Sequence, residues 1–512
     1  MKLLSPQDVR ALDQRVIQKL GLPGVALMET AGRAVVHESL KRAGPSGEGR
    51  LATVLCGTGN NGGDGFVIAR ELHYRGFRVH VYGVGDPSKV GADARTHLEI
   101  LQGVGIKPRW SDQAPQGGEL KGLHRSLLRS AVIVDALLGT GAVTELREVM
   151  KTWISQLDGR HDGLVVSVDL PSGLHADTGQ SLGAVAQADL VVSFVAAKTG
   201  LFLGEGPSSW HELAVASIGV PPKWVSQRRP SRQALEATDL TRLMPSRDPL
   251  GHKGSHGHLL VVAGSAGKSG AALLASQAAL RSGVGLLTLA TAGEIRARIE
   301  GLVPDIMVEA VRGGASEAQR VQKLVQGKSA IVIGPGLGTS AAEIDLVARV
   351  CQASESPIVL DADALTALSG RPELAAAARG RLILTPHPGE LARLMDLSVQ
   401  QVQSERLSVA LQAAERFDAV VIAKGARPLV VAPDGRWSVI DSPTSALSVA
   451  GSGDVLSGMV GALLARGMSP YDAASAAALA HNQSGHHVQE SRGATAAIAS
   501  DLIEALAMIW PR

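Results

Sequence analysis

Short apolar strands that alternate with helix-like stretches are the feature that most constrains the fold of this 512-residue chain. One series of such strands ends at about Trp224 and consists of Leu51–Leu55, Arg78–Val84, Ala131–Leu137, Leu164–Asp169 and Leu190–Val195. A second series consists of His258–Ala263, Gly285–Ala290, Ala330–Ile333, Ile358–Leu360, Leu382–Thr385, Ala419–Ala423 and Leu429–Ala432. Apolar strands separated by helices predict a parallel sheet covered on both faces. The chain is therefore predicted to contain two α/β domains.

Prolines and charged residues interrupt the alternation between the two series. The interruption extends from Pro221 to about Lys253 and has the composition of a connector. The chain is also too long for one ordinary hydrophobic core, and its 45% hydrophobic content is enough for two. We therefore predict a first domain over residues 1–225, a linker over 226–245 and a second domain over 246–512.

Charge and cysteine usage limit the classes of partner and compartment. The formal net charge of +2 is nearly neutral, so it favours neither nucleic acid nor an anionic membrane as a partner. Cys56 and Cys351 are far apart in the sequence, which predicts buried thiols in a reducing compartment. The stretch from Met1 to Leu20 lacks the apolar run of a signal peptide, and no run of about eighteen purely apolar residues follows. We therefore expect a cytoplasmic protein.

A glycine-rich segment follows the first predicted strand. Cys56–Gly65 contains five glycines together with Asn60, Asn61 and Asp64, and an amphipathic helix is predicted after it over Phe66–Arg75. Glycines permit positive φ and close backbone approach, which a strand-to-helix turn needs in order to hold a phosphate. A tight turn closed by Asx hydrogen bonds is the alternative interpretation.

Two later strands of the first series also end in a carboxylate and a glycine-containing turn. These segments are Asp135–Gly141 and Asp169–Leu174. Because the carboxyl ends of parallel strands meet at one edge of a sheet, we expect both segments to line the same crevice as the glycine-rich segment. The alternative for each aspartate alone is to cap the helix that follows it.

The segment Val449–Gly458 carries the most specific chemistry of the second series. Its Gly-Ser-Gly sequence precedes Asp454 at a predicted helix start, where backbone N–H groups and the helix dipole favour a phosphate. Asp454 is placed to take a proton from an attacking hydroxyl, as carboxylates do in many kinases. The sequence therefore predicts a phosphoryl-transfer site.

Four further turns follow strands of the second series and are expected to open at the same sheet edge. They are Gly334–Gly338, Asp361–Leu365, Thr385–Glu390 and Lys424–Ala426. A Walker phosphate loop at Ala263–Ser269 is excluded, because its first glycine would fall at Val262.

The motifs of the first series resemble the NAD(P)H-hydrate epimerase family, which implies a Rossmann-like three-layer domain. The resemblance is carried by Gly57–Gly65, Asp135–Gly141, Asp169–Leu174, Asp177–Gly179 and Ala197–Gly200. It implies contacts with the hydrated nicotinamide nucleotide from Asn60, Asn61, Gly62, Gly63, Asp64, Gly139, Thr140, Gly141, Ala142, Val143, Thr144, Glu145 and Asp169. It also implies a potassium ion bound by oxygen atoms of Asn61, Asp135 and Ser172.

Epimerisation inverts a carbon that carries a hydroxyl beside a ring nitrogen. The reaction needs an acid and a base that assist cleavage and return of the C–O bond. We expect Asp169 and Lys198 to be these catalytic groups. Thr199 stands where the family more often has proline.

The ordered turns of the second series resemble the NAD(P)H-hydrate dehydratase family, which has the ribokinase-like fold, over about Thr238–Arg512. The resemblance implies substrate contacts from Ala272, Gly338, His387 and Asp454. It implies that ADP, with magnesium, is the phosphoryl donor and is bound by Lys424, Gly425, Ala426, Arg427, Pro428 and Gly453. Phosphorylation makes the C6 hydroxyl a leaving group that the ring nitrogen expels, with Asp454 as the base.

Some positions depart from the dehydratase family or admit another role. Lys268 replaces a frequent tyrosine, Thr366 replaces a frequent asparagine, and Lys424–Ala426 lacks the threonine that often follows it. His387, which lies between two prolines, has the alternative of a satisfied structural histidine. Three histidines without metal-ligand spacing are predicted to be polar surface residues: His481, His486 and His487.

The order of the two resemblances predicts one bifunctional repair enzyme. It would epimerise NADHX and NADPHX, the hydrated cofactors, and dehydrate the S form, and we expect it to form a homo-oligomer. One alternative is a ribokinase-like small-molecule kinase fused to a Rossmann-like binding domain, which would release a stable phosphorylated product. Another is a first domain that only binds, as similar domains do in mRNA-decapping scaffold proteins. The presence of Asp169, Lys198 and the proposed ion ligands favours catalysis.

Overall fold

In a computed structural model, which describes residues 1–159, 161–244, 246–311 and 317–510, the chain divides into two compact units. Unit 1 is Met1–Arg232 and unit 2 is Gln233–Arg512. The predicted linker, 226–245, contains a strand and a helix, and its last residue, Pro245, lies outside the described residues, as does Arg512. No helix among the described residues is long and apolar enough to cross a membrane.

Unit 1 is built on a seven-stranded parallel sheet, as its apolar strands predict. The nine strands of unit 1, seven of which form this sheet, are β1 (Leu3–Leu4), β2 (Leu51–Cys56), β3 (Arg78–Val84), β4 (Arg109–Ser111), β5 (Ser130–Ala136), β6 (Leu164–Val168), β7 (Ala188–Phe194), β8 (Ala197–Lys198) and β9 (Trp210–Ala216). The sheet order is β4-β3-β2-β5-β6-β7-β9, and β1 pairs separately with β8. The register places Asp135 of β5 opposite Leu55 of β2 and Ser167 of β6, so the strand ends are aligned.

The helices of unit 1 are α1 (Pro6–Leu20), α2 (Gly24–Ala43), α3 (Asn60–Tyr74), α4 (Ala92–Gly103), α5 (Gly117–Arg129), α6 (Glu148–Ser155) and α7 (Pro222–Ser226). The prediction that the helix begins at Phe66 is wrong, because α3 already begins at Asn60. The glycines of its first turns are needed for close approach: a side chain at Gly62 would collide with the Gly57 carbonyl, and one at Gly65 with Cys56 Sγ. None of the five glycines of Cys56–Gly65 has a positive φ, so the turn depends on the close backbone approach that glycine permits and not on a left-handed conformation.

Unit 2 is built on a ten-stranded mixed sheet. Its strands are β10 (Arg232–Leu235), β11 (His258–Val262), β12 (Leu286–Thr291), β13 (Met307–Ala310), β14 (Ala330–Ile333), β15 (Ile358–Leu360), β16 (Leu382–Leu384), β17 (Ala419–Ala423), β18 (Leu429–Val431) and β19 (Trp437–Ile440). The order is β10-β19-β18-β17-β16-β15-β14-β11-β12-β13. Strands β11 to β17 pair in parallel, whereas β18 is antiparallel to both β17 and β19.

The helices of unit 2 are α8 (Asp239–Leu243), α9 (Ser269–Arg281), α10 (Gly293–Ile299), α11 (Glu317–Val325), α12 (Ala341–Ala353), α13 (Asp363–Gly370), α14 (Leu374–Ala377), α15 (Pro388–Met395), α16 (Val399–Ser404), α17 (Arg406–Phe417), α18 (Ser452–Ala465), α19 (Pro470–Arg492) and α20 (Ala499–Ile509). Helices α9 and α18 touch at Gly458, where any side chain would overlap the Ala275 carbonyl. The alanine-rich stretch Ala473–Ala480 is buried within α19, where its small side chains allow close packing. Cys56 and Cys351 are buried free thiols, as predicted.

Candidate active sites

A cavity of about 900 Å³ opens at the carboxyl edge of the parallel sheet in unit 1. The turns after β2, β5 and β6 contribute to its walls, together with α1 and α2. The structure therefore brings together the three strand ends that the sequence predicted to meet. Nine predicted site residues line this cavity: Asn60, Asn61, Asp64, Gly139, Thr140, Gly141, Ala142, Asp169 and Lys198.

The other predicted residues of unit 1 lie behind or beside the cavity. Gly62 and Gly63 are buried in the first turn of α3, and Gly63 packs against Met28. Three residues of the turn after β5 are exposed and do not line the cavity: Val143, Thr144 and Glu145. Glu145 instead accepts a hydrogen bond from Lys151, with 2.8 Å between Nζ and Oε1.

Asp135 lies completely buried at the end of β5, and its carboxylate organises the turns around it. Ser172 donates to it through both its backbone N–H (2.8 Å) and its hydroxyl (2.5 Å), and the Ser167 hydroxyl donates at 2.8 Å. Burial raises the pKa of Asp135, although these hydrogen bonds oppose the rise. No cation pairs with this carboxylate among the described residues. Asp135 is therefore not a helix cap but a buried acid.

Asn61 connects this buried acid to the cavity. Its side-chain amide donates to the Leu138 carbonyl at 3.0 Å, and Leu138 N–H donates to the Ser172 hydroxyl at 2.9 Å. Carboxylate, amide, hydroxyl and carbonyl oxygens thus lie together beside the cavity. Hard oxygen donors of this kind suit an alkali-metal ion. Among the described residues, no group of three or more His, Cys, Asp or Glu side chains is arranged to hold a metal ion.

Asp169 and Lys198 form an ion pair at the cavity wall. Asp169 has φ of 70°, which turns the chain after β6 and directs its carboxylate toward Phe194 N–H at 3.0 Å. Lys198 is fully buried, contrary to the usual solvated lysine, and Nζ also donates to the Phe194 carbonyl at 2.9 Å. Pairing of β1 with β8 holds Lys198 beside Leu4. The two predicted catalytic groups therefore contact each other.

Asp13 of α1 is a site residue that the sequence analysis missed. It lines the cavity, and its Oδ1 is buried without a hydrogen-bond partner among the described residues. Burial raises the pKa of Asp13 to about 6; Lys198 opposes the rise and Asp169 adds to it. The available signal was its position four residues after Val9 on the buried face of an amphipathic helix.

Asp64 is a third carboxylate of the same cluster. It is only 8% exposed and lies in α3, facing the cavity. Burial raises the pKa of Asp64 well above its usual range, and the neighbouring Asp169 and Asp13 add to the rise while Lys198 opposes it. One wall of the cavity therefore holds a cluster of three carboxylates beside one buried ammonium group.

In unit 2, Lys424 and Asp361 pair at the carboxyl edge of the sheet. Lys424 Nζ lies 2.8 Å from Asp361 Oδ1, which also accepts a hydrogen bond from the Thr385 hydroxyl at 2.7 Å. Burial opposes the charge on Lys424, but Asp361, Glu390 and Asp454 outweigh that effect and raise its pKa. The turns after β15, β16 and β17 are therefore joined by one charged network, as their common position at the sheet edge predicts.

Asp454 lies in the first turn of α18. The helix begins directly after Gly451, which has a left-handed conformation (φ 87°). Burial raises the pKa of Asp454 to about 6, Asp361 and Asp363 add to the rise, and Lys424 opposes it. A side chain at Gly453 would come within 3.2 Å of Lys424 Nζ, so the ammonium group lies directly over this turn. A carboxylate, an ammonium group and a helix N-terminus thus meet at one point.

His481 supports this turn from behind, and its prediction as a polar surface residue is wrong. It lies in the middle of α19, is 7% exposed, and its Nε2 lies 3.1 Å from the Ser452 hydroxyl. Burial lowers its pKa to about 4, so the ring is neutral at physiological pH. His486 and His487, one helical turn further along, are half-buried.

The remaining predicted contacts of unit 2 occupy different environments. Gly338 N–H donates to Asp363 Oδ2 at 2.8 Å, and Lys268 lies 3.3 Å from the same carboxylate oxygen. His387 caps α15, accepting at Nδ1 from Gly389 and Glu390 N–H, while its ring stays exposed. Ala272 is completely buried in α9.

Arg406 of α17 is a second residue that the sequence analysis missed. Its guanidinium donates to the carbonyls of Ala423 (3.2 Å) and Arg427 (3.1 Å), at the two ends of the Lys424–Pro428 segment. Arg427 in turn pairs with Asp441 at 2.7 Å. The backbone of the predicted nucleotide-binding segment is therefore held by one half-buried arginine. No short motif marks Arg406 in the sequence, because its contacts are tertiary.

Comparison with known proteins finds matches along both units. The family model described as NAD(P)H-hydrate dehydratase matches residues 259–507, and that described as YjeF-related protein N-terminus matches residues 24–200. The bifunctional NAD(P)H-hydrate repair enzyme Nnr of Moorella thermoacetica is 35% identical over 99% of this chain and 96% of that protein. The enzyme of the same name from Escherichia coli is 34% identical over 98% and 92%.

A solved structure of a ribokinase-like superfamily protein from Enterococcus faecalis is similar in fold. It aligns with a TM-score of 0.50 and 20% identity, covering 54% of this chain and 94% of that one. This similarity confirms the ribokinase-like fold that was predicted for the second series of strands. The parallel sheet and helices of unit 1 likewise confirm the Rossmann-like α/β prediction.

Proposed function

The chain belongs to the family of bifunctional NAD(P)H-hydrate repair enzymes, and from that premise we propose how its two units divide the work. Unit 1 interconverts the R and S forms of hydrated NADH and NADPH in its cavity. Unit 2 dehydrates the S form at the Asp454 turn, using ADP as the phosphoryl donor. The observation that carries this proposal is that each unit places carboxylates with raised pKa values beside one lysine, the buried Lys198 in unit 1 and the half-buried Lys424 in unit 2.

In unit 1, we assign the acid to Asp13 and the base to Asp169. Asp13, with a pKa of about 6, keeps a proton in part of the population near neutral pH, so it can protonate the departing hydroxyl. The C–O bond breaks as the ring nitrogen forms a C=N bond. Water then returns from the opposite face and gives a proton to the Asp169 carboxylate. Lys198 uses its N–H groups on Asp169 and the Phe194 carbonyl, so its part is to hold that carboxylate in position.

We propose a potassium ion beside this cavity, held by oxygens of Asn61, Asp135 and Ser172. The fit rests on the buried Asp135 carboxylate, which has no cationic partner among the described residues although its pKa is raised by burial. When bound, the ion would supply positive charge near the phosphates of the substrate. The chain itself supplies the turn geometry, because Asn61, Leu138 and Ser172 are linked by hydrogen bonds.

In unit 2, Asp454 removes the proton from the C6 hydroxyl, whose oxygen then attacks the terminal phosphorus of ADP and releases AMP. The backbone N–H groups of Ser452 and Gly453 and the Lys424 ammonium face the transferring group. The C6–O bond of the new phosphate ester breaks when the ring nitrogen donates its electron pair, inorganic phosphate leaves, and transfer of a C5 proton to water restores the double bond. The phosphate is thus transferred and ejected within one site.

Asp363 is the carboxylate that we propose to face the magnesium ion accompanying ADP, which leaves Asp454 free to act as the base. Magnesium is usually held by one or two carboxylates together with substrate phosphates. Asp363 fits this requirement, because it lies near enough to the Asp454 turn to contribute to the raised pKa of Asp454. When bound, the ion would neutralise charge on the nucleotide phosphates.

A substrate-resolved assay tests the proposal. The purified chain is given both epimers of hydrated NADH with ADP, with ATP, or with neither, while recovery of dihydronicotinamide absorbance and release of inorganic phosphate are followed. We expect both products with ADP, and with Asp169→Asn we expect recovery to stop when the S epimer is exhausted. A stable phosphorylated product would instead identify a kinase.

Compartment, oligomeric state and domain limits complete the proposal. We propose that the enzyme works in the cytoplasm, where Cys56 and Cys351 stay reduced as the buried thiols that they are. The homo-oligomer predicted from the sequence, and the domain limits 1–225 and 246–512, stay predictions.

A further inference from the structure

A second cavity of unit 1, of about 800 Å³, lies at the opposite edge of the sheet from the epimerase cavity. The register places Leu51, the first residue of β2, between Arg78 of β3 and Ser130 of β5, so this edge is formed by strand amino ends. The last turns of α5 form another wall. None of the groups assigned to catalysis lines this cavity.

The lining of this second cavity is strongly basic. It contains five arginines and only one carboxylate, that of Asp162. Five arginines and one carboxylate give the lining a formal charge of +4, which exceeds the net charge of +2 for the whole chain. The arginines are Arg50, Arg78, Arg109, Arg125 and Arg129.

These arginines lack the carboxylate partners that other arginines of unit 1 have. Within the described residues, none of the five forms an ion pair, and the side chains of Arg78, Arg125 and Arg129 make no hydrogen bond. By contrast, Arg70 pairs with Glu29 at 2.6 Å and Arg228 with Asp8 at 2.9 Å. Like charges placed around one concavity repel each other unless an anion lies between them.

The floor of the cavity is polar and ordered. Half-buried His80 lies 2.8 Å from the Ser126 hydroxyl, which also lies 3.1 Å from the Tyr82 hydroxyl. Burial lowers the pKa of His80, and Arg109 and Arg78 lower it further, so the positive potential of the arginines reaches the floor. A neutral imidazole and a hydroxyl can both hydrogen-bond to an anion.

We propose that this second cavity binds a small phosphorylated molecule. The planar guanidinium group matches the oxygens of a phosphate in a bidentate manner, and several such groups around one cavity suit a diphosphate better than a single-charged anion. The volume is that of a metabolite site rather than of a simple ion site. A nucleic-acid surface would instead need basic residues along a groove with stacking aromatic rings, and here the charges converge on one concave site.

Arginine footprinting on the full chain tests this assignment. The protein is treated with phenylglyoxal with and without inorganic pyrophosphate, at matched ionic strength, and modified arginines are located by mass spectrometry. At a pyrophosphate concentration about ten times the dissociation constant, about one site in ten is open, so modification of Arg78, Arg125 and Arg129 should slow about tenfold. Exposed Arg33 and Arg75, outside the cavity, should react at an unchanged rate.

Other ligands and paired variants complete the test. Arg78→Gln/Arg129→Gln should remove the protection of Arg125 while epimerase activity is retained, and Arg33→Gln/Arg75→Gln should leave the protection intact. Unchanged reaction rates, equal protection of Arg33, equal protection by citrate, or protection by an oligonucleotide but not by pyrophosphate would each overturn the proposal.

Discussion

Replacing Asp454 with asparagine is expected to abolish dehydration and at the same time to stabilise the chain. The carboxylate has no side-chain hydrogen bond among the described residues, so the nearly isosteric amide loses none. Its pKa rises from 3.8 to about 6, chiefly through burial and then through Asp361. Two pKa units correspond to roughly 3 kcal/mol of unfavourable free energy for the charged form in the folded state.

The sign of this effect sets its pH dependence. Since the folded pKa is above the unfolded value, the folded chain binds the proton more tightly between pH 4 and 6, and its stability falls as the pH rises through that window. Below the window, the wild type and Asp454→Asn should unfold alike. Above it, the variant should be more stable by up to about 3 kcal/mol, or a melting temperature higher by roughly 5–10 °C.

Calorimetry without nucleotide at pH 4 and at pH 8, together with turnover of the S epimer, measures both effects. Loss of a positioned base should lower kcat by about 10²–10⁴-fold. Asp345→Asn is a matched control, because Asp345 is exposed and pairs with Arg371 on the surface, where such a pair contributes little. A variant no more stable than the wild type at pH 8, or equally stabilised at both pH values, would refute the electrostatic reasoning; undiminished turnover would refute the role as base.

Three further perturbations test separate parts of the two sites. Asp13→Asn should lower the rate of epimerisation by about 10²–10⁴-fold without affecting dehydration of the S epimer. In the wild type, epimerase kcat/KM should fall as the pH rises through about 6, because the acid form of Asp13 is lost. An unaltered rate of R-to-S conversion in the variant would contradict the assignment. Ser172→Ala removes one of the hydrogen-bond donors to Asp135 and leaves Leu138 N–H without a partner, so it should cost about 1–3 kcal/mol of stability and raise the potassium concentration needed for half-maximal epimerisation, unlike exposed Ser208→Ala. Arg406→Lys should raise the KM for ADP about tenfold, since lysine cannot span two carbonyls, whereas Arg416→Lys on the same helix should not.

Most strands could be predicted from the sequence, because parallel strands buried on both faces are continuous apolar runs. Seven strands were missed: β1, β4, β8, β9, β10, β13 and β19, each of which lies at a sheet edge or has no more than four residues. Trp210–Ala216 lies at the sheet edge with several exposed residues, and Trp437–Ile440 is only four residues long. The start of α3 was misplaced because glycines usually break helices, whereas here they let the helix approach the backbone of β2 and its turn.

The sites were predictable in outline for a similar reason. Strand ends of a parallel sheet converge, so Asp169, Lys424 and Asp454 could be placed near their partners from topology alone. Asp13, Arg406 and His481 could not be found in this way. Each comes from a helix distant in sequence, and its role depends on tertiary contacts that no short motif encodes.

Both candidate sites hold a surplus of negative charge on buried and half-buried carboxylates. Unit 1 places Asp13, Asp64 and Asp169 beside one ammonium group, and unit 2 places Asp361 and Asp454 beside Lys424. Each surplus destabilises the fold and contributes to the raised pKa of Asp13, Asp64 and Asp454. The same surplus favours a bound cation. The raised pKa values, the acid–base chemistry and the proposed ions are therefore consequences of one feature, an excess of carboxylates over ammonium groups at the sheet edge.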